Sequence, residues 1–215
     1  MLVPKGGSTV VTRRVACSDQ KVDVAAFEVE DATPGKAGLE PVDLDRIHDG
    51  RTGCPTVKAR LIGYPGQWVT PLKSLPGVQG FRALSYGCEP IEPSRWDAVS
   101  KKAGLSPDIH VVVDYGDDHV TFEGGGLVSA DAPNPRGMSG GGMFQPPKPT
   151  KAKQIWNPAD MCLFAIQSSW LDEVGFLKAI QIIHWLKLVA EEYPDLRSEL
   201  QSRFPRLKRM CNESL

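Results

Sequence analysis

The segment Pro133–Phe144 constrains the fold of this chain more than any other stretch of its 215 residues. It reads Pro-Asn-Pro-Arg-Gly-Met-Ser-Gly-Gly-Gly-Met-Phe, so a single serine, Ser139, stands inside a glycine run that leads into an apolar strand. A serine hydroxyl is a weak nucleophile unless a neighbouring base and a charge-stabilising pocket assist it. Glycines allow a tight turn that aims backbone N–H groups at one point, where an oxyanion would develop. We predict that Ser139 is a nucleophile and that the N–H groups of Gly137 and Ser139 form its oxyanion hole. The alternative is a flexible glycine loop in which Ser139 is a polar spacer.

The pattern Gly137-Met138-Ser139-Gly140-Gly141 resembles the nucleophile loop of the trypsin-like (chymotrypsin-fold) serine peptidases, in their bacterial or otherwise non-zymogen form. The resemblance implies hydrolysis of peptide bonds in a protein or peptide substrate, through an acyl-enzyme at Ser139. Zymogen-type relatives have an aspartate before the serine, and it pairs with a freshly cut N-terminus. Met138 cannot form that ion pair, so any activity here would not depend on such activation.

Two further segments are similar to functional segments of this family. Asp23 precedes Val-Ala-Ala-Phe, which is similar to the strand that follows the catalytic aspartate. In the Ser-His-Asp triad of this family, that aspartate holds the histidine that acts as the base in the correct tautomer, and it stabilises the imidazolium. A turn aspartate at a strand entrance is the alternative. The resemblance also implies that Gln167, Ser168 and Ser169 form the edge that binds the substrate backbone; the polar end of a core strand explains them equally well.

The base of the triad has no candidate in the expected order. In this fold the order along the chain is His, Asp, Ser, yet all four histidines (His48, His110, His119 and His184) follow Asp23. The chain could be a truncated active peptidase, or a pseudo-peptidase that kept the fold and binds peptides or a partner. Alternatively, His48 could act as the base from a loop, which would give a triad with an unrelated order along the chain. Absent early strands would also leave a barrel edge through which copies self-associate.

Short strands joined by turns dominate the predicted secondary structure, because 21 glycines and 18 prolines are spread along the chain. Together with the resemblance, this predicts a mostly β protein with two antiparallel β-barrels, the first incomplete, and a C-terminal α-helix. The expected domains are 1–66 with Asp23, 67–172 with the serine loop, and 173–215 with helices that pack on the barrels. Further predictions are strands over 9–15, 24–29 and 161–170, and a strand over 57–66 that ends in a turn. We also predict a hairpin over 110–123, a polar connection over 90–107, helices over 174–192 and 195–204, and a solvated basic tail over 203–209.

The composition and charge of the chain argue against several classes of binding partner. A net charge of −1 gives no case for nucleic acid or an anionic membrane, and charged residues interrupt the longest apolar run, so no membrane span is predicted. Five scattered cysteines without zinc spacing and the absence of a secretory signal favour a cytoplasmic location.

Gly124–Gly126 lacks the Lys-Ser/Thr of a phosphate loop, and no cofactor is predicted. His110 and His119 flank turn aspartates that could bind a cation, but water-facing aspartates explain them equally well, and no metal is predicted.

Overall fold

The computed structural model describes residues 12–17, 22–29, 42–49, 59–68, 70–71, 79–80, 84–115, 120–122, 127–128, 134–145 and 160–212. Twelve strands and four α-helices lie in these ranges. The strands are β1 Thr12–Cys17, β2 Ala25–Val29, β3 Ala59–Gly63, β4 Thr70–Pro71, β5 Gln79–Gly80, β6 Leu84–Cys88, β7 His110–Asp114, β8 Val120–Phe122, β9 Leu127–Val128, β10 Gly142–Gln145, β11 Cys162–Leu171 and β12 Phe176–Gln181. The helices are α1 Pro93–Ala103, α2 Ile182–Glu192, α3 Pro194–Arg203 and α4 Pro205–Asn212.

Eight of the strands form one antiparallel sheet in the order β7-β12-β11-β10-β3-β6-β8-β9. The sheet curls into a half-barrel, and two separate two-stranded sheets, β1-β2 and β4-β5, accompany it. The prediction of a mostly β protein with helices is confirmed in this form. The division into domains at residues 66 and 172 stays a prediction; β3, which precedes residue 66, lies within the large sheet between β10 and β6.

Apolar side chains fill both faces of the strands at one end of the sheet. On β7, Val111 and Val113 face the half-barrel core, whereas Val112 packs with Phe176 on the opposite face, beneath α1. This explains the uninterrupted valine run, since a strand buried on both faces needs no polar alternation. The half-barrel core also contains Leu61, Leu84, Tyr86, Tyr115, Met138, Met143, Ala165, Leu177 and Ala179.

The C-terminal helices pack on one another and on the β1-β2 sheet. Val24 and Ala26 contact a cluster that includes Ile180 and Leu188, so α2 lies against β2. No helix in the described ranges is long and apolar enough to cross a membrane.

Several local predictions are confirmed, and four are wrong. Strands occur within or close to all four predicted ranges, and α3 matches the predicted second helix. The helix over 174–192 is wrong in its first half, because residues 176–181 form β12 and pair with both β11 and β7. The hairpin over 110–123 is wrong, because β7 pairs with β12 while β8 pairs with β6 and β9. The predicted polar connection over 90–107 is wrong because it contains α1. The predicted solvated tail over 203–209 is wrong because it continues into α4, whose Leu207 is fully buried.

Candidate active site

The serine loop, residues 134–141, is held between two parts of the sheet by backbone hydrogen bonds. The N–H of Gly66, just beyond β3, donates to the carbonyl oxygen of Arg136 at 2.8 Å. On the other side, the N–H of Gly140 donates to the carbonyl oxygen of Gln167 at 2.8 Å, and the N–H of Gln167 donates to that of Gly141 at 2.8 Å. The loop is therefore tied both to the turn after β3 and to the middle of β11.

Met138 anchors the loop in the half-barrel core. Its side chain is 1% exposed and belongs to the core cluster. The fit is close, since a Cβ placed on Gly63 would lie 3.1 Å from the Met138 terminal methyl. An aspartate at this position would bury a carboxylate among apolar side chains, at a large desolvation cost. The departure from the zymogen-type pattern thus has a packing role.

Two glycines of the loop are required by their backbone surroundings. Gly137 has φ +88°, and a Cβ there would lie 2.8 Å from the backbone nitrogen of Gly66. A Cβ on Gly141 would lie 2.8 Å from the carbonyl oxygen of Ile62. Side chains are excluded at both positions because two backbones approach each other there.

The hydrogen bonds of the loop leave two particular N–H groups without an acceptor. Four neighbouring N–H groups donate, at 2.8–3.0 Å, to Asn134 Oδ1 or to backbone carbonyls; they belong to Arg136, Met138, Gly140 and Gly141. Within the described residues, the N–H groups of Gly137 and Ser139 donate to nothing, and both residues are exposed. These are the two groups that the sequence predicts as the oxyanion hole.

The Ser139 side chain is also exposed and points toward β11. Its hydroxyl donates to the carbonyl oxygen of Ser168 at 2.8 Å. A peptide carbonyl orients the hydroxyl but is far too weak a base to take its proton. The observed contact therefore positions Ser139 without activating it.

The three residues predicted as a substrate-binding edge differ in their surroundings. Both backbone polar groups of Gln167 bond to the serine loop and its side chain is 2% exposed, so Gln167 supports the loop and cannot pair with a peptide backbone. Beyond it, Gln167 is opposite Ala179 and Ser169 is opposite Lys178, which makes Ser168 the extra residue of a bulge. In the described chain, no strand flanks 168–171 on the side away from β12. A substrate role for Ser168 and Ser169 stays a prediction.

Asp23 lies exposed at the entrance to β2 with φ +55°, an uncommon backbone conformation for a residue other than glycine. The neighbouring Val24 packs in one cluster with Ile180, which pairs with Ile166 in β11, directly before Gln167. The entrance to β2 and the serine loop therefore attach to the same pair of strands. In the described chain no hydrogen bond joins Asp23 to Ser139 or to a histidine, and its catalytic role stays a prediction.

The three described histidines are held away from Ser139. The backbone N–H of His48 donates to the carbonyl oxygen of Leu163 at 2.8 Å, and Leu163 precedes Ser168 by five residues, or about 16 Å of strand. His110 Nδ1 accepts the N–H of Ser106 at 2.9 Å, and His184 Nε2–H donates to the carbonyl oxygen of Asp108 at 2.9 Å. The hypothesis that His48 acts as the base does not fit this arrangement, and His184 is half-buried.

His119 lies outside the described residues, and so do Asp117 and Asp118, the turn aspartates next to it. Among the described residues, no group of three or more His, Cys, Asp or Glu side chains could hold a metal ion.

Two of the histidines make stability depend on pH. Burial lowers the pKa of His110, and the nearby Lys178 lowers it further; burial likewise lowers the pKa of His184. An unfolded histidine titrates near pH 6.5. Between that pH and the lower folded values the unfolded chain binds more protons, so stability falls as the pH drops through 6.5 and levels off below the folded values.

We expect a lower Tm at pH 5.0 than at pH 7.5, and a smaller difference in His110→Asn, whose amide oxygen can still accept the Ser106 N–H. Thermal melts at matched ionic strength measure this. An unchanged difference in the variant would show that His110 does not contribute.

Comparisons with known proteins identify no relative of the chain. A scan against protein-family models, a search of curated proteins and a search of solved structures each gave no match. Inferences about function therefore rest on the residues and geometry described above.

Proposed function

We propose that this chain has the nucleophile and the oxyanion hole of a trypsin-like serine peptidase, with Ser139 as the nucleophile and Asp23 as a triad member. The proposed fold is the double β-barrel of that family. Most of the half-barrel sheet belongs to the second barrel, the β1-β2 sheet with Asp23 belongs to an incomplete first one, and the C-terminal helices pack on both. The substrate is a protein or peptide.

One observation carries the proposal: the N–H groups of Gly137 and Ser139 have no acceptor in the described chain, while their neighbours in the loop are bonded. Backbone donors held by a rigid loop and left unpaired can stabilise a negative charge without reorganising. The loop is rigid because Met138 is buried and because Gly66, Gln167 and the loop backbone bond to one another.

In the proposed reaction, Ser139 Oγ forms a bond to the scissile carbonyl carbon, and the carbonyl oxygen takes up negative charge between the two free N–H groups. The C–N bond then breaks, which leaves an acyl-enzyme, and the hydroxyl proton passes to the leaving amine through a base. In the described chain no basic side chain contacts Ser139. The base is therefore the part of this mechanism that the described residues do not supply.

A peptide boronic acid tests the nucleophile and the oxyanion hole without depending on turnover. Its boron accepts the serine oxygen and becomes tetrahedral, with the hydroxyl proton lost to solvent. We expect a tetrahedral ¹¹B signal on titration of the protein and none with Ser139→Ala. Ser168→Ala is the matched control; it keeps the carbonyl that orients Ser139, so the adduct should form. Equal binding by the native protein and by Ser139→Ala would contradict the proposal.

A second candidate is a peptide-binding module that has lost catalysis. It is favoured by the Ser139 hydroxyl donating to a carbonyl and by the distance of the described histidines from it. For this candidate we expect a fluorophosphonate probe to label Ser139 very slowly, since an oxyanion hole and binding alone give only about 10³–10⁴-fold over water in triad enzymes. Rapid labelling, absent in Ser139→Ala, would reject the binding module in favour of the peptidase.

A further inference from the structure

The inner face of the half-barrel contains two buried polar atoms beside the serine loop that have no hydrogen-bond partner in the described chain. They are Gln167 Oε1, an acceptor, and Trp170 Nε1–H, a donor. Both belong to β11, and Gln167 is the residue whose backbone holds Gly140 and Gly141. Trp170 packs against the half-barrel core cluster.

Such orphaned atoms need an explanation, because buried polar groups in native proteins are nearly always paired and an unpaired one lowers stability. The other buried glutamine of the described residues has a partner for each of its two side-chain polar atoms. Gln181 Nε2 donates to the carbonyl oxygen of Pro107 at 2.6 Å, and its Oε1 accepts from Arg206. Within the described residues, the unpaired buried side-chain atoms thus lie on β11, the strand that holds the serine loop.

The register of β11 and β12 places the two atoms near each other. Gln167 is opposite Ala179 and Trp170 is opposite Leu177, and both partners face the half-barrel core. Residues directly opposite in an antiparallel pair lie on the same face. The bulge at Ser168 makes Gln167 and Trp170 neighbours on that face, about 7 Å apart along the strand. Opposite Gln167, Ala179 presents only a methyl group.

An acceptor next to a donor matches a ligand group that has one of each. A primary carboxamide fits, because its carbonyl can accept from Trp170 Nε1–H while its NH₂ donates to Gln167 Oε1. A carboxylate lacks the donor, an ammonium lacks the acceptor, and an aliphatic side chain lacks both. We propose that the site beside Ser139 binds a peptide by a glutamine or asparagine side chain inserted between Gln167 and Trp170. The inference rests on the proposed function, since it names the side chain that this site selects.

Binding of matched peptides to Ser139→Ala tests the selection without chemistry. The peptides differ at one position, with glutamine, glutamate or norleucine, and fluorescence polarisation gives each Kd. We expect the glutamine peptide to bind about tenfold or more tightly than the norleucine peptide, as two neutral hydrogen bonds allow. Adding Gln167→Leu or Trp170→Phe should reduce that ratio to a few-fold.

The outcomes separate the inference from the proposed function. Equal affinity for the glutamine and norleucine peptides would overturn the inference, as expected if a water molecule bridges the two atoms, and would leave the proposed function standing. If no peptide binds, the inference fails too, and the boronate experiment then decides the proposed function on its own.

A melt of the ligand-free protein provides an independent readout. Gln167→Leu should keep or raise the Tm because no hydrogen bond of the Gln167 side chain is lost. Gln181→Leu is the matched control and should lower the Tm, since it leaves Arg206 and the Pro107 carbonyl short of a partner. A fall in Gln167→Leu as large as that in Gln181→Leu would show that the Gln167 amide is already paired, and would overturn the inference.

Discussion

Gly137→Ala is expected to lower the free energy of unfolding by more than about 2 kcal/mol and to abolish the boronate adduct. Alanine at φ +88° carries a conformational penalty of about 1–2 kcal/mol. Its Cβ would also lie 2.8 Å from the backbone nitrogen of Gly66, so one of the two backbones must move. Either movement breaks the hydrogen bond from Gly66 to Arg136 and turns the Gly137 N–H away from its present direction. Urea unfolding with an unchanged m-value and ¹¹B spectroscopy measure the two effects.

Gly175→Ala is the control for backbone strain alone. Gly175 has φ +71°, but no atom lies within 4 Å of a Cβ placed there. We expect this variant to lose only the conformational penalty and to form the adduct normally. Equal losses in both variants would mean that the close approach of Gly137 to Gly66 contributes nothing to stability.

The serine loop could be predicted from the sequence because its constraints are local. Glycine is needed where φ is positive or where two backbones meet, and the run around Ser139 meets both conditions at Gly137. The contact between the loop and the turn after β3 was harder to predict from the sequence. The segment Gly63-Tyr64-Pro65-Gly66 reads as a turn, but only the structure shows that its last N–H bonds to Arg136.

The start of the predicted C-terminal helix was wrong because periodicity cannot separate a buried strand from a buried helix. Residues 176–183 are nearly continuously apolar, with Phe176 and Leu177 buried on opposite faces of the sheet. The transition from strand to helix falls between Gln181 and Ile182. It depends on pairing with β11, which the turn at 172–175 joins to β12, and with β7, which is remote in sequence.

The predicted site was recoverable only in part, for the same reason. Ser139 and its neighbours carry their own constraints, whereas the Ser168 carbonyl that orients the hydroxyl is 29 residues away. The burial of Gln167 depends on a bulge in β11 and on the register with β12. Neither leaves a pattern in the sequence of β11 itself.

The C-terminal tail provides the largest expected effect outside the serine loop. Basic residues dominate residues 203–209, and the sequence therefore predicted a solvated end. In α4, however, Leu207 is fully buried in a cluster with Ile183, Leu186, Leu200 and Phe204. Met210 and Cys211, three and four residues further along α4, also pack against this cluster, so the apolar residues of the helix share one face. The basic residues Arg206, Lys208 and Arg209 occupy other positions.

Leu207→Ala is therefore expected to lower the free energy of unfolding by about 2–5 kcal/mol, the range for truncating a fully buried leucine. Leu196→Ala removes the same atoms from α3, but Leu196 is 44% exposed, so its effect should stay below about 1 kcal/mol. Urea unfolding of both variants with an unchanged m-value makes the comparison. If Leu207→Ala costs no more than Leu196→Ala, then α4 does not pack on α2 and α3 in solution. The tail would then be solvated, as the charge pattern alone predicts.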